Sequence, residues 1–220
     1  MGDGETVAVT TPTALPAEFF ARDPLVVARE LLGCQLTHAG VTVRLTEVEA
    51  YAGAADPGSH AFRGRSPRTE VMFGPAGRLY VYFTYGMHYC ANVVTGHEGA
   101  ASAVLLRAGE VVAGHEVAAQ RRPGVRERDQ ARGPARLATT LGLGRDHNGL
   151  SLVGPRAGGR VEAPEVAVEE SRVRTGPRVG VSGAGGDGAG YPWRFWLDGE
   201  PTVSAYRAAR PRSAVRTRGG

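Results

Sequence analysis

Apolar and polar positions mark the elements of this chain one by one. Asp23-Pro24 opens a helix, with Asp as N-cap and Pro at the first helical position. It runs through Leu25-Val26-Val27-Ala28-Arg29-Glu30-Leu31-Leu32, and Gly33 ends it. Two strands follow, around Gln35–Thr37 and Val41–Ala50; in the second, Val41, Val43 and Leu45 alternate with polar residues. Residues 51–69 form a Gly/Pro-rich loop. The β-rich runs Leu79–Thr84 and His88–Val94 read as a hairpin with its tip at Tyr85–Met87. A strand at Ala103–Arg107, a helix around Glu110–Arg121, and a helix from Gly133-Pro134 through Leu141 come next. Glu162–Ser171, Arg178–Ser182, Arg194–Leu197 and Thr202–Ala205 read as strands. With no repeat and no clean linker, the pattern predicts one compact α/β or α+β domain. That domain is placed at residues 18–206, between an N-terminal segment (1–17) and a basic tail (207–220), both expected to be disordered.

Composition narrows the function classes. No apolar run approaches the roughly 18 residues of a membrane span. Residues 1–16 have neither a basic region nor an apolar block, so they do not read as a secretory signal. Cys34 and Cys90 sit in apolar surroundings and read as small core residues of a protein in a reducing, cytoplasmic setting. The net charge is +4, and five arginines lie between Arg207 and Gly220 with no acid among them. The body of the chain is therefore close to neutral, and a nucleic-acid face must be a local cluster. All 26 basic residues are arginine, so no lysine amine is present to form a Schiff base.

Three groups of residues suggest chemistry. Alternation puts Glu47 and Glu49 on one strand face, with Tyr51 beyond them. That arrangement fits a solvent-facing strand edge or a pair of catalytic carboxylates. A metal site from Glu47, Glu49 and His60 matches no common ligand spacing. Phe73, Tyr80, Tyr82, Phe83, Tyr85 and Tyr89 crowd into the hairpin region, out of 15 aromatic residues in the chain. Alternation sends Tyr80 and Tyr82 to one face and Phe83 and Tyr85 to the other. A buried strand face accounts for half of them; a nucleic-acid face accounts for both, with a tip tyrosine to wedge between bases and a face tyrosine to stack on one. Arg63, Arg65, Arg68 and Arg78 flank it as phosphate contacts. Gly183–Gly188 satisfies G-x-G-x-x-G but opens no helix, which argues against a dinucleotide site.

Ordered blocks across the chain resemble the alkyladenine (3-methyladenine) DNA glycosylase family. They are Thr46-Glu47-Val48-Glu49-Ala50-Tyr51 with His60; Met72-Phe73 with Pro75 and Gly77; Leu79-Tyr80-Val81-Tyr82 with Tyr85-Gly86-Met87; and Cys90-Ala91-Asn92. Val104–Ala108, Gly133–Leu137, Arg178–Val181 and Pro192–Phe195 continue the series. The resemblance, running from about Phe19 to Tyr206, implies a single mixed α+β domain: a curved, mainly antiparallel sheet, surrounding helices, and a β-hairpin protruding toward DNA. It implies that Glu49 is the general base, with Arg107 near the catalytic water. Tyr51, His60 and Tyr82 then wall the base pocket, Asn92 disfavours guanine, and Tyr85 enters the duplex. The implied activity is monofunctional hydrolysis of damaged purines, with no cofactor or metal, in a monomer acting on double-stranded DNA at the nucleoid and not at a membrane. Two other readings stand beside it. One is a non-catalytic nucleic-acid-binding module using the same hairpin; the other is a metal-dependent nuclease.

Overall fold

The computed structural model describes residues 13–84 and 86–209. The expected disorder of residues 1–12 and 210–220 and the role of Tyr85 lie outside the described residues.

Among the described residues there are four α-helices and eight strands. They are α1 (Ala17–Phe20), α2 (Pro24–Glu30), β1 (Gln35–His38), β2 (Val41–Tyr51), β3 (Leu79–Thr84) and β4 (His88–Val94). Then come β5 (Ala103–Ala113), α3 (His115–Arg121), α4 (Pro134–Thr140), β6 (Arg160–Glu162), β7 (Val173–Gly176) and β8 (Arg194–Leu197). The strands make one eight-stranded sheet in the order β3-β4-β5-β2-β1-β6, with β8 on β2 and β7 on β8. Every pair is antiparallel, and the sheet does not close into a barrel. The architecture is thus a single mixed α+β domain with its helices around an antiparallel sheet.

One irregularity sets the character of the two faces. Between β2 and β5, Leu45 pairs with Gly109, Glu47 with Ala108 and Val48 with Leu106. Thr46 and Arg107 are left without a direct partner, one extra residue on each strand. Side chains alternate with period two, so an inserted residue reverses which face the rest of the strand presents. Val43 and Leu45 belong to the core before the insertion, and Val48 and Ala50 belong to it afterwards. The strand's apolar spacing therefore jumps from two to three across Thr46, and Glu47 and Glu49 turn away from the core. Val27 and Ala28 of α2 and Leu137 and Ala138 of α4 pack into the core with Leu79, Val81, Ala91, Val93, Val104 and Leu106. The Asp23 carboxylate caps α2 by accepting from the Leu25 amide at 2.8 Å.

Several expected elements change. Residues 13–17 do not trail free of the domain: Ala14 bridges Glu162, and the Leu15 amide donates to the Val161 carbonyl at 2.8 Å. The helix expected from Glu110 begins at His115 instead, because Glu110–Ala113 extend β5. Val111 pairs with Val43 there, and Glu110 meets the Arg44 guanidinium at 2.7 Å. Gly114, at φ +77°, makes the break between strand and helix. Of Glu162–Ser171, the first residue alone is in a strand, and Arg178–Ser182 and Thr202–Ala205 are not strands. Pro164, Pro177 and Pro201 stand at or beside these segments and remove ladder donors. Strand β7, just before Pro177, went unread.

A Cβ on Gly114 would lie 2.0 Å from the Gly40 carbonyl oxygen in a left-handed backbone conformation. Gly114→Ala is therefore expected to destabilise the domain by about 1–3 kcal/mol. A lowered urea midpoint at unchanged slope is the readout.

Candidate active site

The sheet register assembles the site. Tyr80, Asn92, Leu105, Glu49 and Arg194 are successive partners in one row across β3, β4, β5, β2 and β8. Residues opposite one another share a face, so side chains scattered over more than a hundred positions meet on one side of the sheet. Two residues along, Tyr82 faces Cys90 and Tyr51 faces Ala103, adding both tyrosines to that side. The loops after β2 and β7 fold over it. A cavity of about 520 Å³ remains, lined among others by Tyr51, His60, Tyr80, Tyr82, Asn92 and Arg107.

Neither glutamate lies on a solvent-facing edge; both are fully buried. Burying an ion requires a partner, and here arginines supply it. Glu47 accepts from Arg107 Nε at 2.7 Å, Arg194 Nε at 2.8 Å, and the Ser204 amide and hydroxyl at 2.7 and 3.0 Å. Burial opposes its ionisation, but Arg107 and Arg194 outweigh that and hold the carboxyl below its usual pKa. Glu49 Oε1 accepts from the Val179 amide at 2.7 Å and lies 3.2 Å from Arg107 Nη1. Its Oε2 accepts from the Tyr51 hydroxyl at 2.8 Å. Burial, then the Glu49 charge, pushes the Tyr51 phenol well above its ordinary pKa, so it stays a donor. Glu49 itself is one layer behind the cavity wall, while its partners Tyr51, Arg107 and Val179 form that wall. Arg107 is thus held through Nε by one carboxylate and presents Nη1 to the other.

The remaining walls are aromatic. Tyr80 and Tyr82 stack with centroids 5.5 Å apart, and the His60 ring meets Tyr82 edge-on at 4.6 Å. His60 Nδ1 lies 3.1 Å from the Tyr80 hydroxyl. Burial, then Arg68, lowers the imidazole pKa to about 4, so this histidine is neutral at pH 7. Asn92 donates its side-chain amide to the Tyr80 carbonyl at 3.1 Å, which fixes its orientation at the cavity. Six residues singled out from sequence, Glu49, Arg107, Tyr51, His60, Tyr82 and Asn92, therefore come together. Among the described residues no cluster of three or more His, Cys, Asp or Glu is placed to hold a metal.

The four arginines divide. Arg63 and Arg78 are exposed and have no ion pair among the described residues. Arg65 pairs with Glu70 at 2.8 Å and lies over the Phe73 ring. Arg68 is exposed as well, but its Nη2 lies 3.4 Å from His60 Nε2 and its Cζ 5.6 Å from the centre of the Tyr82 ring.

A model of the methylpurine-DNA glycosylase family matches residues 18–201. The chain belongs to the methylpurine-DNA glycosylase family. A Streptomyces avermitilis protein is 52% identical over 211 residues, covering 94% of this chain and 98% of that protein. A Frankia casuarinae protein is 50% identical, covering 88% and 93%, and one from Leifsonia xyli 52%, covering 86% and 90%. Each bears 3-methyladenine DNA glycosylase in its name.

Sequence reading missed the parts of this family site that hold others in place. Tyr80 was legible in part, since alternation gives it the face of Tyr82. The pair Asp56–Arg178 was not. Arg178 is buried, meets both Asp56 oxygens at 2.6 and 2.7 Å, and donates to the Ala50 and Gly185 carbonyls. Tyr51, Trp193 and Tyr191 surround its guanidinium at 4.5, 5.3 and 5.6 Å. It ties three segments around Glu49, and its chain neighbour Val179 delivers the amide to that carboxylate. Gly185 belongs to the same contact: a Cβ there would lie 2.2 Å from the Gly58 nitrogen. Arg178→Met leaves the Asp56 carboxylate buried without a cation. We expect a loss of about 3–5 kcal/mol in denaturant unfolding, against little for the exposed Arg156→Met.

Proposed function

We propose that this DNA glycosylase hydrolyses the N-glycosidic bond of alkylated or deaminated purines, such as 3-methyladenine, 7-methylguanine, hypoxanthine and etheno-adenine, in base excision repair. The observation that carries the proposal is the placing of Glu49 directly behind a slot walled by Arg107, Tyr51, His60 and Tyr82. A stacked base cannot reach such a slot, so the nucleotide must leave the duplex. Extrusion costs a few kcal/mol, less for a damaged base. Tyr85 is proposed to fill the vacated space, and Arg63 and Arg78 to hold backbone phosphates. Asn92 is proposed to disfavour guanine through its exocyclic amine.

The chemistry then follows from charge. As the C1′–N bond lengthens, the sugar becomes oxocarbenium-like and the electron pair leaves with the base. A water oxygen bonds to C1′, and its proton passes to Glu49. The Tyr51 hydroxyl occupies Glu49 Oε2 in the structure, so a small rotation of the phenol admits the water. Arg107, anchored by Glu47, keeps the carboxylate aimed. A purine alkylated at N3 or N7 leaves as a neutral base; an uncharged purine must gain a proton as it leaves. Without lysine, no Schiff base forms from a side-chain amine, and the product is an intact abasic site. We place this activity on nucleoid DNA in the cytoplasm, in a monomeric enzyme.

The test is base release from duplexes carrying one lesion each. Glu49→Gln should slow release by a factor of about 10²–10⁴ while damaged duplex is still bound. Unchanged release by Glu49→Gln sinks the mechanism, and a wild type that binds but never releases a base supports a pure binding module. Loss of release on adding EDTA would point to the nuclease-type metal chemistry instead.

A further inference from the structure

We propose that Arg68 is a specificity-determining residue: its guanidinium places an uncompensated positive charge at the base slot and biases the enzyme toward neutral purine lesions over cationic ones. This rests on the functional reading above.

The sequence grouped Arg68 with three phosphate-binding arginines, but its surroundings differ from theirs. Its Nη2 lies 3.4 Å from His60 Nε2, and its Cζ lies 5.6 Å from the centre of the Tyr82 ring. It is also close enough to Tyr80 to offset part of the rise that burial imposes on that phenol's pKa. Arg68, though exposed, therefore lies against two of the rings that wall the slot, His60 and Tyr82, and close to a third, Tyr80.

A guanidinium has donors and no acceptor. The contact with Arg68 makes His60 Nε2 the acceptor, so the ring hydrogen sits on Nδ1 and points to the Tyr80 hydroxyl 3.1 Å away. The imidazole is a neutral wall in a single tautomer, and Arg68 is what fixes it.

The charge count around the slot isolates Arg68 further. Glu47 and Glu49 are met by Arg107 and Arg194, and Asp56 by Arg178. Arg65 has Glu70. Arg68 has no ion pair among the described residues, so its charge is not cancelled locally. A purine lying against Tyr82 sits within about 8 Å of it, one Debye length at physiological salt. A cationic purine is repelled there, and it shares the π electrons of Tyr82 with a cation already in place. A neutral purine meets neither penalty.

Single-turnover base release decides the matter, using duplexes with one 7-methylguanine (cationic) or one hypoxanthine (neutral). Arg68→Gln should raise the 7-methylguanine rate relative to the hypoxanthine rate by roughly tenfold, and Arg68→Lys should keep the wild-type ratio. A phosphate contact predicts something else: both rates and duplex affinity fall together, and the salt dependence of binding becomes shallower. That result, an unchanged ratio, or a ratio moving toward hypoxanthine would overturn the inference while leaving the glycosylase reading intact. A wild type that releases neither base removes the glycosylase reading, and this inference with it.

Discussion

Two buried carboxylates cannot share one face of a sheet unless cations are buried with them. That requirement organises much of this molecule. Glu47 and Glu49 are both fully enclosed, and Arg107 lies between them. Arg194 and Ser204 complete the shell of Glu47: its Oε1 accepts from both arginines and the Ser204 hydroxyl, and its Oε2 accepts from the Ser204 amide. Its service is to hold Arg107 by one edge, leaving another edge for Glu49. The division of labour between two similar residues comes from their neighbours: Glu47 is held by two arginines and Ser204, whereas Glu49 keeps an oxygen whose single partner is a tyrosine on the cavity wall.

A second buried pair does the same work for the loops. Asp56 and Arg178 join the turn after β2 to the segment after β7, and Gly185 packs closely against that turn. Each segment carries few apolar residues and would have little reason to pack alone. Neutralising a buried charge supplies the reason, and the Val179 amide reaches Glu49 as a result. Aromatic faces around Arg178 extend the same logic, because π faces solvate a guanidinium where water is excluded. Outside these two clusters stands Arg68, whose charge has no such counterweight.

The family comparison and the geometry support each other without duplicating one another. Similarity over residues 18–201 identifies the family. The register of the sheet accounts for why Tyr80, Asn92 and Leu105 face one cavity with Glu49 directly behind its wall, although they are far apart in sequence. The roles assigned to these side chains rest on that placement and on the chemistry of carboxylates, phenols and guanidinium groups.

Local signals were enough to determine much from sequence alone. The helix after Asp23, strands β1 and β2, the β3–β4 hairpin and the helix from Pro134 follow from capping, alternation and breaker residues, each of which acts within a few positions. Glu49, Tyr51, His60, Tyr82, Asn92 and Arg107 were legible through the ordered motifs of the family. The insertion at Thr46 left a trace as well, in the spacing of three between Leu45 and Val48. Tertiary structure alone decided which partner each charge would find. Asp56 and Arg178 are separated by 122 positions, Glu47 and Arg194 by 147, and nothing local couples them. Arg68 shows the same divide: its loop and its charge were readable, but whether it faces a phosphate or a histidine depends on how the loop closes over the sheet. Charge pairing under burial is a property of the assembled interior, where the dielectric is low and every ion must have a neighbour. Until the chain has folded there is no interior, and so no choice of neighbour to read.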